Sequence, residues 1–278
     1  MQTSIVRPHR NKVNILTNQQ YLKTEQYKDS SNLDARMEIH RRFSTNPYGW
    51  MAWVFDRLLA LPADARILEL GCGPGYLWKD NAARIPATWD ITLSDLSSGM
   101  LDSAWRNLVV TGRNYKFKEL DAQQIPFEAE TFDAVIANHM LYHVPDRRQA
   151  LQEVRRVLKP EGVFFAATLG VDHMRELWDL LERAGSMVKR ETINSAFTLE
   201  NGAQQLQEFF PRVELTHYPD GLRVTEVAAL LAYVRSMTST ADFQEAGFHS
   251  IERELTETLA RDGAIVIEKS AGLFEAVK

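Results

Sequence analysis

Three glycines at alternate positions, Gly71, Gly73 and Gly75, stand in the stretch ILELGCGPGY directly after an apolar run. Without side chains, their backbone N–H groups can approach a ligand closely, and they accept dihedral angles that other residues resist. A dinucleotide site uses the spacing G-x-G-x-x-G, with a pyrophosphate on the following helix N-terminus. Here the third position of that pattern is Tyr76, and Glu69 lies two residues ahead of the first glycine. A carboxylate there repels a pyrophosphate and suits a nucleoside that carries positive charge on an amino acid end. Asp95 closes the run WDITLSD, twenty residues after Gly75, where an acid can accept both hydroxyls of a ribose. Asp121 opens DAQQIPF, and a carboxylate beside a backbone N–H can read the edge of adenine, whose amine donates and whose ring nitrogen accepts.

These residues need strand ends to hold them. Strand candidates are Ile67–Leu70, Asp90–Ser94, Tyr115–Glu119, Phe132–Asn138 and Val163–Leu169. Between them run amphipathic helices. One carries Met100, Leu101, Ala104, Trp105 and Leu108 inward and stops at Gly112; a second carries Ala150, Leu151, Val154, Val157 and Leu158 and stops at Pro160 and Gly162. A third carries Met174, Leu177, Trp178 and Leu181 and closes at Gly185. Strands alternating with helices predict an α/β fold, a mostly parallel sheet covered on both faces. In such a sheet, ligands bind at the carboxyl ends of strands where strand order reverses. The glycine loop and the two acids then fall on three successive strand ends.

The flanks differ. Asn32 is expected to cap a helix over residues 33–43, and residues 48–60 form another with Met51, Val54, Phe55, Leu58 and Leu59 inward. Residues 1–60 read as an N-terminal helical lid rich in aromatics: Tyr21, Tyr27, Phe43, Tyr48, Trp50 and Trp53. Residues 61–278 read as the main domain, with 186–211 and 219–262 as helical insertions, the first of them following strand five. Val213–Tyr218 is a sixth strand candidate, AIVIEKSAGLFEAV a final one, and Met237–Ala246 a surface loop.

The 278 residues are 45% hydrophobic and 25% charged, with a formal net charge of −5, as in an ordinary globular protein. That balance gives no electrostatic footprint for nucleic acid or an anionic membrane. No apolar run approaches membrane-spanning length. A single cysteine, Cys72, excludes an internal disulfide and fits a cytoplasmic protein.

The set ILELGCGPG, LSDLS and LDAQQIPFEAETFDAVIANHMLYHVPDRRQALQEVRRVLKPEGVFFAAT resembles the class I S-adenosylmethionine-dependent methyltransferases, over about residues 66–168. It is most similar to the small-molecule branch that includes the ubiquinone/menaquinone C-methyltransferases. The resemblance implies a doubly wound, seven-stranded, mostly parallel Rossmann-like sheet with the last strand antiparallel. It also implies S-adenosyl-L-methionine as cofactor. Carried onto this chain, Glu69, Gly71, Cys72 and Gly73 line the methionine and ribose portion. Asp95 holds the ribose hydroxyls, with Leu96 and Met100 against the adenine. Asp121 accepts from the adenine amine, the Ala122 backbone serves the ring edge, and Asn138 faces the methionine part. In LKPEGVFF, Glu161 stands where the family has a second glycine; the stretch is read as a structural turn.

Methyl transfer needs alignment and exclusion of water more than it needs a base. His139 and His143, in NHMLYHVP, follow the fourth strand close to the point of transfer and are the candidate catalytic residues. His143 matches a family position that orders the loop; Tyr142 is a comparable candidate to His139. No further carboxylate or cysteine joins these histidines, so no metal site is expected. Tyr21 and Tyr27 are expected to close over the cofactor. Arg36, Arg41 and Arg42 read as a solvated face from which one arginine can bind the methionine carboxylate. The acceptor, a small molecule, is expected between this leader, the loop after strand four and the insertion around Phe197. Homo-oligomerisation stays open. The rivals are a nicotinamide-dependent oxidoreductase, which Tyr76 disfavours, and a module that binds S-adenosylmethionine without turnover.

Overall fold

The computed structural model describes residues 15–184, 196–237 and 245–278. Gly185 and most of the expected 237–246 loop lie outside these residues, as do residues 186–195 of the expected insertion. Seven strands form one sheet: β1 (Arg66–Leu70), β2 (Asp90–Asp95), β3 (Lys116–Glu119), β4 (Phe132–Asn138), β5 (Leu158–Leu169), β6 (Arg212–Val224) and β7 (Ile265–Val277). Their order is β3-β2-β1-β4-β5-β7-β6. The first five pair in parallel, and β7 runs antiparallel to both β5 and β6. The chain starts in the middle, winds outward through β2 and β3, then crosses back to β4. Strand order therefore reverses between β1 and β4, which opens a crevice at their carboxyl ends.

The helices are α1 (Gln19–Tyr21), α2 (Ser31–Phe43), α3 (Trp50–Leu58), α4 (Tyr76–Asp80), α5 (Ser98–Leu108), α6 (Arg147–Val157), α7 (Arg175–Arg183), α8 (Gly202–Gln207), α9 (Val227–Arg235) and α10 (Glu245–Asp262). One face of the sheet buries Ala150, Leu151, Val154 and Val157 of α6 against Val135, Phe164 and Phe274. The other buries Phe55, Trp78 and Leu108, from α3, α4 and α5, against Ile67, Ile91 and Phe165. A third core joins Ile39 and Phe43 of α2 to α7, α9, α10 and the far ends of β6 and β7. Helix α2 thus shares a core with residues that follow β5 in the chain.

Several expected boundaries shift for local reasons. The α5 face is set by Met100, Ala104 and Leu108 at four-residue spacing, and Ser103 joins it. Trp105 lies about 100° around the helix from Ala104 and is 56% exposed rather than inward. Leu158 opens β5 instead of closing α6, because Pro160 cannot continue a helix. Glu161 sits at φ 59°, in the left-handed region that favours glycine, and its carboxylate pairs with Arg212 at 2.5 Å. Gly49, at φ 79°, delays α3 to Trp50. Asn32 does not cap α2: its amide donates to the Gln26 carbonyl at 3.1 Å, and Ser30 precedes the helix.

β6 runs six residues past Tyr218, through a Pro219-Asp220-Gly221 stretch that reads as a turn and was expected to lead into a helical insertion. As the edge strand it tolerates a proline without an N–H. Asp220 makes the extension useful. Its carboxylate takes the Ser44 hydroxyl, the Asn46 N–H at 3.0 Å and the Lys269 ammonium, and so ties the loop after α2 to the sheet.

The segment before α2 lies across α5. A Cβ at Gly99 would fall 1.9 Å from the Lys28 carbonyl oxygen, so this helix start admits the leader only because residue 99 has no side chain. Gly99→Ala should therefore lower stability by about 1–3 kcal/mol, read from denaturant unfolding at constant m-value. Wild-type stability in that variant would show that the contact is not made.

Candidate functional site

The β1–α4 loop brings its glycines to φ 64° at Gly71, 53° at Gly73 and 75° at Gly75. Packing reinforces the requirement. A Cβ at Gly71 would meet Met140 at 2.9 Å, and one at Gly75 would meet Leu108 at 2.9 Å. The loop is pinned to the end of β2: the Cys72 N–H donates to the Ser94 carbonyl at 2.8 Å, and the Gly73 N–H to Asp95 Oδ2 at 3.0 Å. The other Asp95 oxygen accepts the Ser97 N–H at 2.9 Å. Ser97 then caps α5 through the Met100 N–H and donates to the Tyr27 carbonyl at 2.7 Å.

A cavity of about 220 Å³ opens over this loop at the β1/β4 switch point. Tyr27, Glu69, Gly71, Cys72, Gly73, Asp95, Leu96, Met100, Asp121, Ala122 and Asn138 all line it, as do His139 and His143. Sequence reasoning missed Gln19, Leu22, Leu33, Met37 and Met140, which also line it. Nothing in local spacing marks the first four, because they arrive from the leader. Tyr21 is not among the lining residues. Phe197 is fully buried in the sheet core, its ring 5.9 Å from Phe274, and so cannot form an acceptor pocket. Tyr76, at the third position of the nucleotide-loop pattern, gives its hydroxyl to Asp34.

Burial sets the charge of the site. It pushes Asp95 up to about 6, against the pull of the Ser97 and Gly73 N–H groups. It pushes Glu69 up to about 8, opposed by the Trp78 indole N–H at 2.6 Å and helped by Asp95. Burial also raises the Cys72 thiol well above its usual range, so it fills space and carries no thiolate. Asp121 accepts the Gln19 amide at 2.7 Å and the backbone and side-chain N–H groups of Gln123. Asn138 accepts the Trp50 indole N–H at 3.1 Å.

The basic groups sort themselves. Arg41 pairs with Glu38, and Arg42 with Glu226. Arg36 instead lies inside, over the Tyr27 ring at 5.5 Å, with one terminal nitrogen buried and unpartnered at the cavity. His143 Nδ1 is 2.7 Å from the Leu16 carbonyl, which only accepts, so Nδ1 carries the proton. Its Nε2 then accepts the Tyr27 hydroxyl at 3.0 Å. With both nitrogens engaged and burial holding it down to about 4, His143 is a fastening between leader and loop, not a free base. His139, at φ 59° beneath Trp50, has a buried Nδ1 with no partner, and burial holds it down to about 3.

Residues 68–166 match the family described as a methyltransferase domain. The chain is 33% identical over 164 residues to the malonyl-[acyl-carrier protein] O-methyltransferase of Enterobacter lignolyticus, covering 55% of this chain and 61% of that protein. It is 29% identical over 148 residues to a ubiquinone/menaquinone biosynthesis C-methyltransferase of Coxiella burnetii, covering 49% and 58%. The chain thus spans about three fifths of the length of these relatives. In fold it is similar to Haemonchus contortus phosphoethanolamine N-methyltransferase 2, solved with S-adenosyl-L-methionine. That match has a TM-score of 0.56 and 20% identity, over 94% of this chain and 59% of that one. The glycine loop and the carboxyl ends of the strands on either side of the β1/β4 reversal thus lie within the stretch that matches this methyltransferase-domain family. Among the described residues no helix is long and apolar enough to cross a membrane.

Glu69 gives the site a pH signature. Its folded value of about 8 lies above the usual 4.5, so the folded protein holds the extra proton between these limits. Stability from this group is full below pH 4.5 and is lost as pH rises through 8. Glu69→Gln, which keeps an acceptor for Trp78, should flatten that decline between pH 6 and 8.5 in the ligand-free protein. Parallel wild-type and variant slopes would contradict it.

Proposed function

We propose that the protein transfers a methyl group from S-adenosyl-L-methionine to a small-molecule acceptor. The observation that carries this reading is one cavity with two kinds of recognition in its lining. Asp95 is held by two backbone N–H groups on the glycine-loop side, and the unpartnered Arg36 nitrogen reaches in from α2. A carboxylate beside a loop of bare backbone suits ribose hydroxyls; a guanidinium suits the carboxylate of an amino acid tail. When bound, the cofactor supplies a sulfonium-activated methyl, whose carbon–sulfur bond breaks toward sulfur as the acceptor's nucleophile bonds to carbon.

The chain's own residues bind, orient and exclude water. Asp95 takes the ribose hydroxyls, Leu96 and Met100 pack on the base, and Asp121 takes its amine. Gln19, which gives Asp121 the same kind of donor, has to yield that position as the base enters. Glu69 gives up its raised proton when a cation arrives, so the two buried acids favour a positively charged ligand. His143 and Tyr27 hold the leader across the cavity, and residues 15–60 serve as the lid. Neutral His139 is poorly basic, which restricts unaided transfer to acceptors that lose a proton easily or have none to lose.

A nicotinamide-dependent oxidoreductase fits less well, because a pyrophosphate would meet Glu69 and Asp95 and find no glycine at residue 76. A module that binds without turnover is separated by experiment. Asp95→Ala and Arg36→Ala should each weaken calorimetric S-adenosylmethionine binding by tenfold or more, and deletion up to Tyr27 should also weaken it. Methyl-labelled cofactor incubated with cell extract should yield a labelled low-mass product that needs the intact protein. Wild-type affinity in both variants would overturn the binding assignments, and binding without any labelled product would leave the non-catalytic module.

A further inference from the structure

Beyond Asn138, four segments that are distant in sequence bring basic groups together. His40 comes from α2, His139 from the turn after β4, His173 from the turn after β5 and Lys269 from β7. They are near enough for Lys269 and His173 to act electrostatically on His40 and His139. The three histidines lie deep in the protein, yet none is sealed by its neighbours; each keeps some free surface, and His139 lines the cavity wall. Nδ1 of both His40 and His139 is buried without a hydrogen-bond partner. His173 Nδ1 lies 3.0 Å from the Ser270 carbonyl.

The acid of this neighbourhood, Asp220, is already engaged by Lys269, Ser44 and the N–H groups of Asn46 and Gly221. Aromatic rings pack against the cluster. Trp50 lies over His139 at 4.9 Å and 39°, with Tyr218 edge-on to Trp50 at 5.3 Å; Tyr233 of α9 closes on His40 at 6.0 Å. A cation gains little here: Trp53 already carries the Arg57 guanidinium at 4.0 Å, and Asp220, the acid that could receive one, is occupied by Lys269. Buried nitrogens without partners ask for a ligand that can hydrogen-bond to them.

We propose that this cluster is the acceptor site and that it takes a planar, anionic acceptor. The negative group lies against His40, His139 and Lys269, and the flat skeleton lies along Trp50. The assignment rests on the methyl-transfer reading of the adjoining cavity and names its substrate class. Such an acceptor needs no protein base if the anionic oxygen itself takes the methyl group: the new oxygen–carbon bond forms as the carbon–sulfur bond breaks, and no proton moves. Burial and the neighbouring ammonium keep the imidazoles neutral, so an entering anion draws a proton onto the cluster.

The test uses the full chain saturated with S-adenosylhomocysteine and follows tryptophan fluorescence at pH 7 with three probes of one shape: benzoate, benzyl alcohol and benzylamine. Benzoate should bind at least tenfold more tightly than the other two. Calorimetry in two buffers of different ionisation enthalpy should show proton uptake with it. His40→Ala and the closer-shaped His40→Asn should each weaken benzoate at least tenfold and reduce the uptake, with S-adenosylhomocysteine affinity kept. Benzylamine or benzyl alcohol binding as tightly as benzoate overturns the proposal, on wild-type protein alone. So does unchanged benzoate affinity in the folded variants. If S-adenosylhomocysteine itself fails to bind, the methyl-transfer reading falls; if it binds and benzoate does not, only the acceptor assignment falls.

Discussion

The grip of two backbone N–H groups on the Asp95 carboxylate organises the site. Gly73 donates from the β1 loop and Ser97 from the start of α5, so one side chain fixes the distance between the first two strand ends. Ser97 passes the constraint on, capping α5 with its hydroxyl oxygen and donating to the Tyr27 carbonyl. Glycine at 71, 73 and 75 is what lets the backbone reach that acid, because all three positions have positive φ. Remove the acid and the loop, the helix start and the leader lose their common anchor.

Buried titratable groups of opposite kind lie in two places, acids beside the glycine loop and bases around Trp50. Glu69 and Asp95 lie buried beside the glycine loop, each pushed toward its protonated form. Around Trp50, histidines are held neutral by burial beside Lys269. Beside the glycine loop the acids accept N–H groups, and around Trp50 Lys269 is paired with Asp220 while Nδ1 of His40 and of His139 lacks a partner. The proposed ligands, a cation at the first and an anion at the second, answer these two settings. Asn138, the last residue of β4, accepts the Trp50 indole N–H.

The leader is part of the fold's core. Its α2 packs into a core with α7, α9, α10 and the extended β6–β7 pair. The segment ahead of it is fastened by His143, whose two nitrogens hold Leu16 and Tyr27, and by Asp121 and Glu119, which hold Gln19 and Lys23. Residues 15–29 are thus held by side-chain fastenings, whereas α2 has an apolar anchor.

Sequence alone determined what local periodicity and backbone chemistry can encode. It placed the glycine loop after β1, Asp95 and Asp121 at the next strand ends, the alternation that makes a parallel sheet, and the helix face of α6. These rest on short-range rules: bare backbone needs glycine, an apolar stripe needs a core, and an acid after a strand faces the crevice. It misjudged Trp105, because a side chain at the edge of an apolar stripe turns outward or inward according to its neighbours. It stopped β6 at Tyr218, because the pairing that carries a strand through Pro219 and Gly221 comes from β7, some fifty residues later. Only the tertiary structure selected Arg36 over Arg41 and Arg42, occupied both nitrogens of His143, buried Phe197 and gathered His40, His139, His173 and Lys269. Each of those outcomes depends on groups from distant segments meeting in space, and no spacing along a chain records which face such a meeting will present.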